Sequence, residues 1–298
     1  MQKQNKAYFL AIIAVLFWST VASAFKISLQ YLDYFQLLFF SSLVSTLLLF
    51  LLILSQNKIS EICKTNSKDL LKSALMGFLN PFLYYVVLLK AYSLLKAQEA
   101  GTLNYVWPVV IVLLSVPLLK QKISVKSLLA ILISFAGAVI IGTNGRIFTL
   151  EFSNLEGVLL ALGSSVIWSL FWIFNLKDHR ETLNKLFLNF VFGMIYITLA
   201  CIIFSEISLP NFKSILGSTY IGLFEMGITF MLWIKALKYS HTTAQVNNLI
   251  YLTPFISLVI VRIVIKEKIL ISSIAGIAFI IFGIILQKKF GTERDTSN

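Results

Sequence analysis

Two stretches of an apolar chain carry residues that do not suit hydrocarbon. The first, "EAGTLNYVWP" (Glu99–Pro108), holds a carboxylate, an amide, a phenol, an indole and a proline within ten residues. The second, "QVNNLIYLTP" (Gln245–Pro254), lies 146 residues on and places Leu249, Tyr251 and Pro254 against Leu103, Tyr105 and Pro108. Each proline falls about halfway along a hydrophobic run. A proline there removes a backbone donor and clashes with the preceding turn, so it kinks or opens a helix. Freed carbonyls persist at membrane depth only against protein or a cavity. Interrupted helices at matching places point to a binding site at mid-depth; packed kinks are the plainer alternative, since proline is ordinary in membrane helices. Polar neighbours accompany both breaks: Asn104, Tyr105 and Trp107 in one stretch, Gln245, Asn247, Asn248, Tyr251 and Thr253 in the other. At 100° per residue, Asn104, Trp107 and Pro108 share a face, as do Asn248 and Tyr251. An amide orients a ligand's polar end and rings stack on rings or cations. The same amides also act as glue between helices with no ligand.

Glu225 stands at the centre of another run, in "GLFEMGITF". A charge at that depth costs at least about 2.5–3.5 kcal/mol. Glu225 is therefore expected either to face a cavity, where it suits a proton carrier, or to be a neutral acid bonded between helices. Its counterpart in the first half is Asn80, followed by Pro81 and Tyr84. Trp18 in "FWST" and Trp168 in "IWSL" occupy matching places too. The candidate substrate contacts are thus Trp18, Asn80, Tyr84, Asn104, Tyr105, Trp107, Trp168, Glu225, Asn248 and Tyr251, with Pro108 and Pro254 as hinges. Lys26 and Glu99 lie at similar depth and form a candidate gate or ion pair.

The elements that must hold these residues follow from composition. Of 298 residues, 58% are hydrophobic and 13% charged, with a mean hydropathy of +0.87. A soluble domain carries about 25% charged residues, so the chain reads as an all-α polytopic membrane protein. Its runs are uniformly apolar and about twenty residues long, which excludes the alternating ten-residue strands of a barrel. Ten spans are expected near 7–30, 34–55, 70–92, 97–119, 124–143, 155–176, 183–204, 214–236, 243–265 and 269–287. The net charge of +12 comes mostly from cations in short loops, where they meet headgroups; no basic patch with interleaved aromatics suggests nucleic acid. Cys63 and Cys201 have no pairing pattern, and neither CxxC nor HExxH occurs, so no metal or cofactor is expected. The first run ends near Ala22–Ser23–Ala24 and imitates a cleaved leader. Its length, and a partner run in the second half, argue that it is a span.

The chain repeats itself. At an offset of 146, nine of 43 positions in Glu99–Ile141 recur in Gln245–Gln287, in the order Tyr-x-x-Pro, Lys-x-Lys-Ile, then Gly137 with Gly283. The halves are then 1–148 and 149–298, with five spans each and a short disordered tail. An odd number per half inserts the second half upside down, the inverted repeat of secondary transporters. With both termini cytoplasmic, inner segments hold 17 of the 25 Lys and Arg residues, as the positive-inside rule asks.

At these residues the sequence resembles the EamA-like drug/metabolite transporter superfamily. "EAGTLNYVWP", "VIWSLFWIFNLK" (166–177) and "YLTPFISLVI" (251–260) are more narrowly similar to the YddG-type branch of aromatic amino-acid exporters. The resemblance implies a multi-pass protein of a bacterial inner membrane that exports small molecules through a central cavity between the halves. Amino acids or similar small metabolites, aromatic ones among them, are the implied substrates; cationic drugs are the alternative. An embedded enzyme would need paired catalytic aspartates, GxSxG or a metal cluster in the spans, and none is written there. Proton coupling and oligomeric state are left open by the sequence.

Overall fold

The computed structural model describes residues 2–120, 124–148, 151–206, 210–240, 246 and 248–295. All regular structure among them is helical. Eight helices are long and apolar enough to cross a membrane: α1 (Lys3–Ser28), α2 (Tyr34–Ser55), α3 (Ser67–Leu94), α4 (Ala97–Leu119), α5 (Val125–Gly142), α6 (Leu155–Asn175), α7 (Thr182–Phe204) and α8 (Phe212–Tyr239). Two shorter apolar helices follow, α9 (Leu249–Val264) and α10 (Ile271–Leu286). Starts are set by caps. Asp33 accepts from the amides of Phe35 and Gln36, Ser124 from Ser127, Asn154 from Gly157 and Asn211 from Ser214, each satisfying an amide the first helical turn leaves open.

The side-chain distribution is that of a protein whose solvent is lipid. Phe9, Leu51, Ile203 and Phe204 are largely exposed, whereas Ser19, Ser41, Ser42, Ser45, Ser164 and Ser169 are buried. Small residues let helices approach, and their hydroxyls find carbonyls: Ser45 Oγ donates to Gly222 O at 2.5 Å and Ser134 Oγ to Ile280 O at 3.1 Å. The α5–α10 contact is the tightest example. A Cβ added to Gly137 would stand 2.5 Å from Gly276 O, and one on Gly283 would stand 2.5 Å from Ala130 O. Only glycine permits that backbone approach.

Four helices are interrupted. In α4 one helical segment ends at Asn104 and the next begins at Trp107; in α9 a 3-10 turn (Asn248–Leu252) leads into a helix from Thr253. Pro108 and Pro254 each occupy the first turn of the second segment, where a missing donor costs nothing. The other two breaks lie in runs expected to be continuous. A π-helical turn (Phe78–Leu83) around Asn80 and Pro81 divides α3, and Glu225–Gly227 divides α8 between Phe224 and Ile228. Gly227, with φ −111° and ψ −90°, leaves the helix altogether.

Much of the packing recurs on exchanging each helix for the one five places along. The second segment of α8 and the whole of α9 pack on α1, as the second segments of α3 and α4 pack on α6. The first segment of α8 packs on α2 and that of α3 on α7, while α2 meets α7 and α5 meets α10. Lys120 and Lys266, 146 apart, both take left-handed backbone with φ 55° and 58°.

Candidate functional site

Three of the four breaks, those of α4, α8 and α9, border a cavity of about 550 Å³. Its wall is built by α1 and α6, which cross the middle unbroken, and by the interrupted α3, α4, α8 and α9. All five tryptophans of the chain line it: Trp18, Trp107, Trp168, Trp172 and Trp233. Trp18 and Trp168 both contact Phe230, with ring centroids 5.9 and 6.0 Å from it. Trp18 also meets Trp233 at 5.3 Å, and Trp168 meets Tyr84 at 4.7 Å. These aromatic contacts fix a shaped apolar wall, the usual make-up of a small-molecule pocket.

A few polar groups converge on it. Asn104 Nδ2 donates to Ser164 Oγ at 2.8 Å, and Tyr84 Oη donates to Asn104 Oδ1 at 3.4 Å. Ser169 Oγ donates to Trp107 O at 3.0 Å, giving a donor to a carbonyl beside the α4 break. Glu225 lines the cavity at the α8 break, and Tyr85 Oη donates to its Oε1 at 3.0 Å. Tyr105, Tyr251, Pro108 and Pro254 line the same space.

Of the residues singled out in the sequence, Trp18, Tyr84, Asn104, Tyr105, Trp107, Trp168, Glu225, Tyr251 and both prolines are thus brought together. Asn80 is not. It is buried in the α3 break away from the cavity wall, and its Oδ1 has no partner among the described residues. The repeat matches it to Glu225 at an offset of 145, but the two breaks differ: the π turn carries the Asn80 side chain elsewhere. Gln245 and Asn247 lie outside the described residues, as do Gln121, Lys122 and the side chain of Asn248.

Lys26 and Glu99 do not form the expected ion pair. Lys26 Nζ donates instead to the carbonyls of Tyr92 and Leu95, at 2.9 and 2.6 Å, at the end of α3. That end of a helix carries the negative pole, which a cation offsets. Glu99 is buried and accepts from Ser153 Oγ at 3.2 Å. The anion beside the corner is Glu267. Its Oε1 accepts from the Ala97 amide at the start of α4 at 3.1 Å, where the helix pole is positive. Next to it, Gln98 donates through Nε2 to Lys268 O at 2.8 Å and accepts from the Leu270 amide at 3.1 Å. Gln98 is both a cavity wall residue and a clasp on the α9–α10 loop. Sequence reasoning passed over Gln98 and Tyr85, although each adjoins a residue it named.

Comparison with known proteins assigns the family. The model of the EamA-like transporter family matches residues 5–143 and again 155–287. The chain belongs to the EamA-like transporter family. A Clostridium kluyveri protein named an uncharacterized transporter is 26% identical over 295 residues, covering 95% of this chain and 93% of the relative. An Ancylobacter novellus protein named aromatic amino acid exporter YddG is 26% identical over 159 residues, 53% of this chain and 55% of its own. A crystal structure with 21% sequence identity covers 97% of this chain and 98% of its own with a TM-score of 0.69, a likeness of fold. As an EamA transporter the chain takes a small molecule as substrate and a lipid bilayer as its surroundings.

Proposed function

We propose that this chain is a secondary transporter that exports amino acids or similar small metabolites, aromatic ones among them, across a bacterial inner membrane by alternating access. The observation that carries the reading is the aromatic cavity at the junctions of the broken helices. A ligand there touches segments that are free to pivot about Pro108 and Pro254. Trp18, Trp107, Trp168 and Tyr251 would meet its side chain, and Asn104 and Glu225 its polar end. The relative named an aromatic amino acid exporter supports the substrate class.

The architecture proposed with it has ten spans in two inverted five-helix halves, 1–148 and 149–298, with both termini cytoplasmic. Support comes from the symmetric helix packing, the matched backbone at Lys120 and Lys266, and the two family-model matches. In that orientation the clasp of Gln98 on the α9–α10 loop closes the outer end, with Lys26 and Glu267 bracing the α3–α4 corner. Purified protein in proteoliposomes, loaded with labelled amino acids, tests the function. Efflux of phenylalanine, tyrosine or tryptophan above protein-free vesicles is expected, with and without a pH gradient. Efflux no faster than in empty vesicles for every amino acid overturns the substrate class.

A further inference from the structure

The charge on the cavity wall is one-sided. Among the described residues it carries one carboxylate, Glu225, and no lysine, arginine or histidine. Lys26 follows the lining Phe25, but its ammonium is seated on two main-chain carbonyls at the α3–α4 corner. Tyr85 supplies one hydrogen bond to Glu225, and no other donor reaches that carboxylate among the described residues. Part of the Asn104 amide's donor capacity is already directed at Ser164. The carboxylate and the π faces of tryptophan and tyrosine both favour a cation.

We propose that the site grips its ligand by an ammonium group and offers no cationic partner to a carboxylate, so that it takes aromatic amines and carboxyl-blocked amino acids ahead of the free amino acids. The inference rests on the cavity being the substrate site. An ammonium beside Glu225 gains a charge-assisted hydrogen bond and aromatic faces. A ligand carboxylate in the same space is stripped of water, finds no cation, and lies near another carboxylate.

A ligand series with one shared ring tests this by calorimetry on the purified, unaltered protein: phenethylamine, phenylalanine methyl ester, phenylalanine and 3-phenylpropionate. The amine and the ester are expected to bind at least about tenfold tighter than phenylalanine, and 3-phenylpropionate to give no saturable heat. Phenylalanine or 3-phenylpropionate binding as tightly as the amine overturns the inference and leaves the cavity as the substrate site. Binding by none of the four overturns both. Glu225→Gln, where it folds, should remove most of the amine's advantage; the order within the unaltered protein decides the matter if it does not.

Discussion

At the scale of single residues, the chamber divides its labour between amide and ring. Asn104 is tied to Ser164 and Tyr84, so Asn104→Leu removes a polar contact and leaves both partners unbonded. Loss of a buried hydrogen bond costs about 1–3 kcal/mol, and binding of every ligand should weaken about ten- to hundredfold. Trp107→Ala removes an indole wall and should weaken aromatic ligands more than small ones. Binding titrations on variants of normal thermal stability check both; parent-like binding of all ligands by both variants places these residues outside the site. The chemistry of these positions was legible because an amide, an indole and a proline stand out in a hydrophobic run. Tyr85 and Gln98 were not, since their partners Glu225 and Glu267 lie 140 and 169 residues away. Nothing local marks such a pairing.

At the scale of elements, the prolines showed two of the four breaks, and the other two stayed hidden. A proline with polar neighbours, as at Pro108, reads as an interruption. Pro81 lies among "FLNPFLYY" and Gly227 among "FEMGITF", and each reads as a tolerated residue within an apolar span. The backbone departs there because the partners change along each broken helix: α3 packs mainly on α7 and then on α6, and α8 on both α2 and α1 and then on α1. That change of partner is a tertiary cause. The clasp makes a prediction at this scale. Gln98→Leu leaves the Leu270 amide and the Lys268 carbonyl without their partner, a cost of about 1–3 kcal/mol to the end that the proposed orientation places outside. In a protein lacking Cys63, Ala22→Cys on the cavity wall should then react about tenfold faster with an impermeant thiol reagent added outside. An unchanged rate would show that the clasp does not hold that end shut. A second element, the α5–α10 seam, predicts the opposite behaviour. Gly283→Val sets side-chain atoms against Ser134 and the Ala130 carbonyl. Such overpacking costs about 1–3 kcal/mol, so melting temperature should fall while relative ligand preference in the folded fraction stays as in the parent.

At the scale of the whole molecule, composition and run length were enough for an all-helical membrane protein, and the expected span 34–55 coincides with α2. Alignment at a fixed offset exposed the repeat because residues that stiffen or bend the backbone recur in order. What it did not reveal is how far the halves interpenetrate. α1 packs on the broken α8 and α9, and α6 on the broken α3 and α4, so under the proposed division neither half encloses the cavity alone. The inverted arrangement predicts opposite exposure of the two matched loops. In intact cells, with native cysteines removed, Gln121→Cys should be protected from an impermeant reagent and Lys266→Cys should be labelled. Labelling of both from one side would refute the inversion.

The crowding of every tryptophan onto one wall gives the protein a built-in spectroscopic reporter. In most proteins, indole emission averages over scattered sites. Here all five emitters border the same 550 Å³ of space. A colour shift or quenching on adding a ligand that does not itself fluoresce in that band registers occupancy of the chamber, with no label attached. Water entering when either end opens would redden the same signal. Under the proposed alternating access, stopped-flow emission would time each half-cycle in protein that has been altered nowhere.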